Sequence, residues 1–495
     1  MADYDLAIIG GGVNGAGIAR DAAGRGLRVL LVEQNDLASG TSQASTKLIH
    51  GGLRYLEQGA LLMVREALAE REVLLRMAPH LIRPMRFVLP AVPGPRAPLM
   101  LRLGLLLYDT LGARKLLPPA ATIDLTKHAA GAPLKRRFSS GFEYSDCAVD
   151  DARLVVLNAV DAAERGASVR TRTRLIRAER ENEWQLILNA RGRRETASAR
   201  VLINAAGPWA GIVGETVLRL AGKPPIRLVQ GSHVVVRKLF DHGCGYIFQL
   251  PERRIVFALP FADEFTLIGT TNEDFSGSLE AVAPSAEEVV FLCRTASEFF
   301  RAPIAPEDVV LAFAGVRSLH DDGAGRPEDV TRDYHLALDQ RSGVAPLLTV
   351  YGGKITTYRR LAEAALAKLS NVFSLARSWT ATAPLPGGEF FWDRIPTLET
   401  QALRNWPFLD QANALRLVRA YGARLHRIFG KAARREDAAP WFGPLSAAEV
   451  RYLMAHEWAR TAEDVLWRRS KLGLRLSGME KEGLARFMAE QPAPG

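Results

Sequence analysis

Apolar residues along the chain fall into two rhythms that alternate from the first residues. Leu6-Ala7-Ile8-Ile9 is a short continuous apolar run stopped by glycine, the pattern of a strand buried on both faces. Small residues then recur at helical spacing (Ala16, Gly17, Ala19, Ala22, Ala23), and a second apolar run, Leu27 to Val32, ends at Glu33. Residues 4–33 therefore predict a strand–helix–strand unit. A helical pattern fills LLMVREALAEREVLLRMAPHL, and residues 99–113 form a shorter, unusually apolar stretch. Val155–Arg165 predicts another helix. Residues 168–206 alternate like a small antiparallel meander and close in VLINAAGPW.

Beyond residue 225 the strand rhythm dominates. RLVQGSHVVV, YIFQL, RIVFALPF and FTLIGTT predict a mostly antiparallel sheet. Ser285 and Glu288 form a capping box that opens the helix EEVVFLCRTASEFF. Strands are expected near Val309–Ala314, Tyr334–Asp339 and Leu347–Tyr351. Residues 379–396, rich in Pro, Gly and Trp, look like a linker, and the remainder is helical. The whole reads as an α/β protein in three units. A Rossmann-type domain takes 1–75, 147–225 and 345–375. An inserted, mainly antiparallel domain takes 76–146 and 226–344, and an all-helical domain takes 385–495.

Two glycine motifs add chemistry to this pattern. Gly10-x-Gly12-x-x-Gly15 sits between the first strand and its helix, the context in which it binds a dinucleotide. The glycines serve a tight turn, close approach to a pyrophosphate, and close helix–strand packing. The helix N-terminus offers unpaired N–H groups to phosphate. Glu33 suits ribose hydroxyls and would repel a 2′-phosphate, which disfavours NADP. The long Ser/Thr/Gly loop 35–55 either donates hydrogen bonds along an extended cofactor or is plain surface. Gly352-Gly353-Lys354 repeats the strand–glycine–helix logic far downstream.

With 495 residues the chain is long enough for two or three cores. A net charge of +10 suits anionic partners: phosphate esters, acidic lipid headgroups or nucleic acid. No aromatic-interleaved basic stripe is present, so nucleic acid is not expected as a partner. Cys147, Cys244 and Cys293 are far apart and form no CxxC pair, which argues for a reducing compartment and against a thiol metal site. The N-terminus reads as a strand rather than a signal peptide, and no apolar run approaches the ~20 residues that span a bilayer. The stretch 99–113, flanked by Arg96, Arg102, Arg114 and Lys115, either lies in a membrane interface or is a core helix.

In order along the chain stand TSQASTKLIHGGLRYLEQG, EALAEREVLLRMAPHL, GFEYSDCAVDDARLV, INAAGPWA, QGSHVVV, IGTTNEDF, GVRSLHDD, TRDYHL, YGGKITTYRRLAE and HEWARTAEDVLWRRSKLGL. Together with residues 10–33 these blocks resemble the FAD-dependent, membrane-associated glycerol-3-phosphate dehydrogenases over nearly the whole chain. The resemblance implies an FAD-binding domain of the glutathione-reductase-like kind, in a D-amino-acid-oxidase-like arrangement. It also implies oxidation of sn-glycerol 3-phosphate to dihydroxyacetone phosphate, with hydride passing from C2 to flavin N5 and electrons going on to the quinone pool. Expected cofactor-binding residues are Gly10, Gly12, Asn14, Gly15, Glu33, Thr41, Ser45, Lys47, Leu48, Gly207, Gly352, Gly353, Lys354 and Thr356.

Arg54, Tyr55, Arg317, Arg332 and Lys354 are the expected substrate clamp. Arg317, His233 and His50 are the candidates for the chemistry, with an imidazole to take the C2 hydroxyl proton. The two histidines are not separable by sequence, and His320 stands just past Arg317. Ser318 departs from the proline expected after Arg317. Asp321 and Asp322 lack a third ligand, so no metal is expected. A homodimer, peripheral on the cytoplasmic face of the membrane with anionic headgroups as partners, completes the expectation. The rivals are a glycerophosphate oxidase that uses oxygen, an amine or amino-acid oxidase, and a flavin-binding RNA-modifying factor.

Overall fold

The computed structural model describes residues 2–56, 59–91, 97–112, 116–222, 225–251, 254–321, 323, 330 and 332–492. The strand Tyr4–Ile9 lies in the middle of an eight-stranded sheet, in the order His335–Arg341, Val344–Tyr351, Arg193–Asn204, Tyr4–Ile9, Val29–Val32, Ser168–Arg170. Leu6 pairs in parallel with Val29 on one side and Val201 on the other. Its neighbours Ala7 and Ile8 are almost fully buried on opposite faces, Ile8 against the helix residues Ile18, Ala19, Leu361 and Ala365 and Ala7 against the strand residues Leu175, Trp184 and Leu186. The expected meander, Thr173–Arg180 and Trp184–Ala190, leads antiparallel into Arg193–Asn204.

The first helix, Val13–Gly24, is built of small residues because other helices press on it. A Cβ at Gly17 would sit 2.7 Å from the Tyr358 ring, on the helix Tyr358–Ala367. The helix Asp151–Glu164 starts four residues before the apolar periodicity suggests, because Asp150 caps it by accepting a hydrogen bond from the Arg153 N–H.

The second sheet has ten strands. Its longest ladder, toward one edge, pairs Ile226–Arg237 antiparallel with Val309–His320. Val234 and Val236 pack toward the helix Ala286–Phe299, whose predicted capping box is present, while Val235 joins the opposite core. That period of two gives this sheet two packed faces, one under the helix Ala286–Phe299 and one against Val64, Leu68, Leu105 and Tyr108. The sheets do not divide where hydropathy suggests. His335–Arg341, expected with the inserted unit, pairs with Val344–Tyr351 in the first sheet, and Leu48–Ile49 joins the second through Cys147 and Ala148.

The C-terminal unit contains Ile395–Asn405, Gln411–Tyr421, Ala447–His456 and Gly478–Glu490. It also carries one short ladder, Trp441–Phe442 with Leu445–Ser446, so it is not wholly helical. Buried ion pairs tie it to the first domain. Asp36 takes Arg468 and Arg469, Arg153 pairs with Glu457, and Lys471 reaches Asp151 at 3.1 Å. The apolar stretch folds as the helix Ala97–Leu111. One face is core, with Leu105 and Tyr108 buried, and the other exposes Met100, Leu103 and Leu106. The core reading therefore describes one face of the helix, and the other face is left exposed. Among the described residues no helix is long and apolar enough to cross a membrane.

Candidate active site

A cavity of about 930 Å³ is lined by residues of both sheets. At one end stand the first glycines and Glu33. Gly10 has φ +107°, and a Cβ there would lie 2.5 Å from the Ala205 carbonyl oxygen, so only glycine lets the two strand ends approach. A Cβ at Gly15 would fall 1.9 Å from the Gly10 oxygen. That glycine serves helix–strand packing and does not line the cavity. Glu33 accepts hydrogen bonds from the N–H groups of Gly11 and Asn35, both at 2.7 Å; burial pushes its pKa up, and these bonds oppose the shift.

Along the cavity run Thr41, Ser45, Leu48 and Gly207, and at the far end Gly352, Gly353, Lys354 and Thr356. Gly352 and Gly353 both have positive φ. Asn14 joins the two glycine motifs by donating to the Gly352 carbonyl at 3.1 Å, while its own buried Oδ1 has no partner among the described residues. An elongated space with an acid and backbone turns at one end and a glycine pair at the other fits a flavin dinucleotide.

Lys47 does not line this cavity. With φ +60°, it turns its ammonium to Asp151 Oδ2 and the Gln43 carbonyl, each at 2.7 Å, and burial lowers its pKa to about 8. Asp151 also accepts from Ser45 Oγ at 2.8 Å. Lys47 is placed to hold the loop from behind.

Cations gather at one part of the wall. Arg317 donates to Asn272 Oδ1 at 3.1 Å and to Thr270 Oγ1 at 3.4 Å, and Arg332 donates to the same Asn272 oxygen at 3.2 Å. Lys354 also lines the cavity, its ammonium 4.3 Å from the Tyr55 ring centroid, and burial lowers its pKa. Tyr55 lines the cavity as well, while the side chain of Arg54 lies outside the described residues, as does Asp322. Asn272 and Thr270 escaped the sequence reading, since a lone Asn or Thr after a strand carries no spacing signature.

The histidines separate. His50 lines the cavity, its main chain tied to Thr356 Oγ1 at 3.3 Å. His233 is fully buried behind Thr46, with 3.0 Å between Nε2 and the Thr46 hydroxyl, and it stacks on Phe313. Burial, and then the charges of Arg317 and Lys47, lower its pKa to about 3, so it is neutral. His320 instead stacks on His335, 4.4 Å between centroids.

Residues 5–359 match the family model described as FAD dependent oxidoreductase, and residues 378–491 match that of the C-terminal domain of alpha-glycerophosphate oxidase. A glycerol-3-phosphate dehydrogenase of Pseudomonas aeruginosa is 50% identical over 99% of this chain and 95% of its own. D-erythritol 1-phosphate dehydrogenase of Brucella abortus is 47% identical over 96% of each chain. The crystal structure of a glycerol-3-phosphate dehydrogenase from Bacillus halodurans, complexed with FAD, shares the fold. Its TM-score is 0.75 at 24% identity, covering 98% of this chain and 93% of that one. With its glycine-lined cavity and its C-terminal unit, this chain belongs to the FAD-dependent oxidoreductases, in the glycerol-3-phosphate dehydrogenase family.

Proposed function

We propose that this protein oxidises sn-glycerol 3-phosphate to dihydroxyacetone phosphate and passes the electrons to a membrane quinone. The observation that carries the reading is the pair of guanidiniums, Arg317 and Arg332, held on one neutral oxygen of Asn272 at the wall of the cofactor cavity. Two guanidinium forks brought together at one point of the wall suit a phosphate dianion. An amine or amino-acid oxidase would need one carboxylate partner and no such concentration of cations.

The cradle residues already placed in the cavity, Glu33 with Gly10 and Gly12, Asn14 bridging the two glycine motifs, and Gly352, Gly353 and Thr356, would hold FAD. Bound FAD supplies an acceptor for the C2 hydride at N5. Lys354 adds a cation at the glycine-pair end, where charge accumulates on reduction. His50 is the side chain with direct access to remove the C2 hydroxyl proton, and the neutral His233 reaches the cavity only through the Thr46 hydroxyl. The two roles separate by substitution. His50→Gln should lower kcat by about a hundredfold or more, and His233→Asn by less.

The membrane part of the proposal rests on the outer face of Ala97–Leu111. Met100, Leu103 and Leu106 are 71%, 56% and 62% exposed, and Leu62 beside this helix is 81% exposed. Such a patch is unusual on a monomer and suits the acyl boundary of a lipid surface.

Turnover of sn-glycerol 3-phosphate, D-erythritol 1-phosphate and glycine by purified protein, with quinone or oxygen as acceptor, tests the whole reading. The first substrate with quinone should be fastest. Peroxide formed stoichiometrically in air would replace the quinone with oxygen, and turnover of glycine alone would overturn the phosphate clamp.

A further inference from the structure

The phosphate clamp is anchored from the opposite face of its sheet. Glu288, at the third position of the helix Ala286–Phe299, is buried, and its carboxylate accepts four hydrogen bonds. Oε1 takes the hydroxyls of Thr271 at 2.5 Å and Ser232 at 2.8 Å, and Oε2 takes the Gln230 amide at 2.7 Å and the Ser285 N–H at 2.9 Å. Only the last is needed to cap the helix. The other three donors come from two segments that lie against Arg317.

Those segments are where the arginines rest. Thr271 lies between Thr270 and Asn272, the two residues that receive Arg317, and Asn272 receives Arg332 as well. Thr271 is fixed twice, because its hydroxyl also accepts from the Ser232 N–H at 2.9 Å. Gln230 and Ser232 flank Gly231, which turns to the cavity side. A Cβ at Gly231 would lie 2.5 Å from the Arg317 guanidinium. Strand alternation therefore gives Gln230 and Ser232 to Glu288 and leaves the vacant position between them to Arg317.

We propose that Glu288 is a positioning residue for substrate phosphate. It clamps Thr271 and the strand at Gln230–Ser232 in one register, so that Asn272 and Thr270 present Arg317 and Arg332 as a pair. A capping role alone would be met by the Ser285 contact and would leave substrate affinity untouched. The inference deepens the proposed function, since it rests on these arginines binding the phosphate of the substrate.

Glu288→Gln keeps the shape and replaces an acceptor oxygen by a donor amide, so one side of the cluster loses its bonds. The result expected is a KM for sn-glycerol 3-phosphate raised about tenfold, from the loss of charge-assisted hydrogen bonds, with kcat changed less than twofold. The inhibition constant of inorganic phosphate should rise in parallel. Thr271→Val, which deletes only the relay hydroxyl, should reproduce the effect, and combining Glu288→Gln with Asn272→Ala should raise KM by less than the product of the two single effects.

An unchanged KM and phosphate inhibition in both Glu288→Gln and Thr271→Val would overturn the inference. So would single effects that multiply in full, or a loss of kcat and melting temperature at constant KM. Wild-type protein that sn-glycerol 3-phosphate fails to reduce would instead refute the substrate reading itself, which keeps the two failures distinct.

Discussion

Gly231 lets the Arg317 guanidinium lie close against its strand, and the proposed phosphate site depends on that closeness. Gly231→Ala should push the guanidinium off Asn272 and raise KM about tenfold while the flavin stays bound, measured by steady-state kinetics beside the flavin absorbance. Two buried imidazoles make a separate prediction for stability. Burial lowers the pKa values of His80 and His233 to about 3. An unfolded histidine takes up a proton near pH 6.5, which the folded protein refuses until far lower. Stability should therefore be constant above that value and fall as pH drops through the window between the two. The loss is about 1.4 kcal/mol per histidine one unit below 6.5. Urea unfolding across this range should show it, and His80→Leu should remove about half of the slope. At this scale a residue type with one task is the most legible, and Gly10, Glu33 and Gly353 all line the cavity. Lys47 and His233 do not reach the cavity, because a loop residue at positive φ and a strand residue behind a threonine point elsewhere, and no periodicity encodes that.

At the scale of elements, the helix Asp151–Glu164 joins the flavin loop to the C-terminal unit. Asp151 holds Lys47 and Ser45 on one side and Lys471 on the other, and Arg153, two residues along, pairs with Glu457. Both members of the latter pair are almost fully buried. Glu457→Ala should strand the Arg153 charge and destabilise the protein by about 3–5 kcal/mol, read from the unfolding midpoint at constant slope. A loss below about 1 kcal/mol would mean that the carbonyl of Ala420 suffices for Arg153. The helices and strands themselves were largely legible, because buried strands and helix faces impose periods of two and 3.6 on apolar residues. The start of this helix was not, since it depends on the Asp150 cap ahead of any apolar residue. Nor was the membership of His335–Arg341, because a hairpin reads the same in either sheet.

Over the whole molecule, the proposed function is that of an enzyme that takes a soluble anion and works at a lipid surface. If so, sedimentation with anionic vesicles should recover wild-type protein, and Leu62→Ser/Leu103→Ser/Leu106→Ser should leave it in the supernatant with its melting temperature changed little. These side chains are exposed, so their loss costs the core almost nothing. The three-part architecture could be read from the order of motifs, because each occupies one junction of strand and helix. The position of the C-terminal unit could not, since it is set by ion pairs between residues hundreds of positions apart. The central claim, that a flavin held by both glycine motifs is reduced by a phosphorylated polyol, is tested most directly by anaerobic titration of the purified holoprotein with sn-glycerol 3-phosphate, followed at the flavin absorbance band. The account predicts complete bleaching, abolished at the same substrate concentration by Arg317→Ala. Protein that binds FAD stoichiometrically yet keeps its colour under saturating substrate would contradict it.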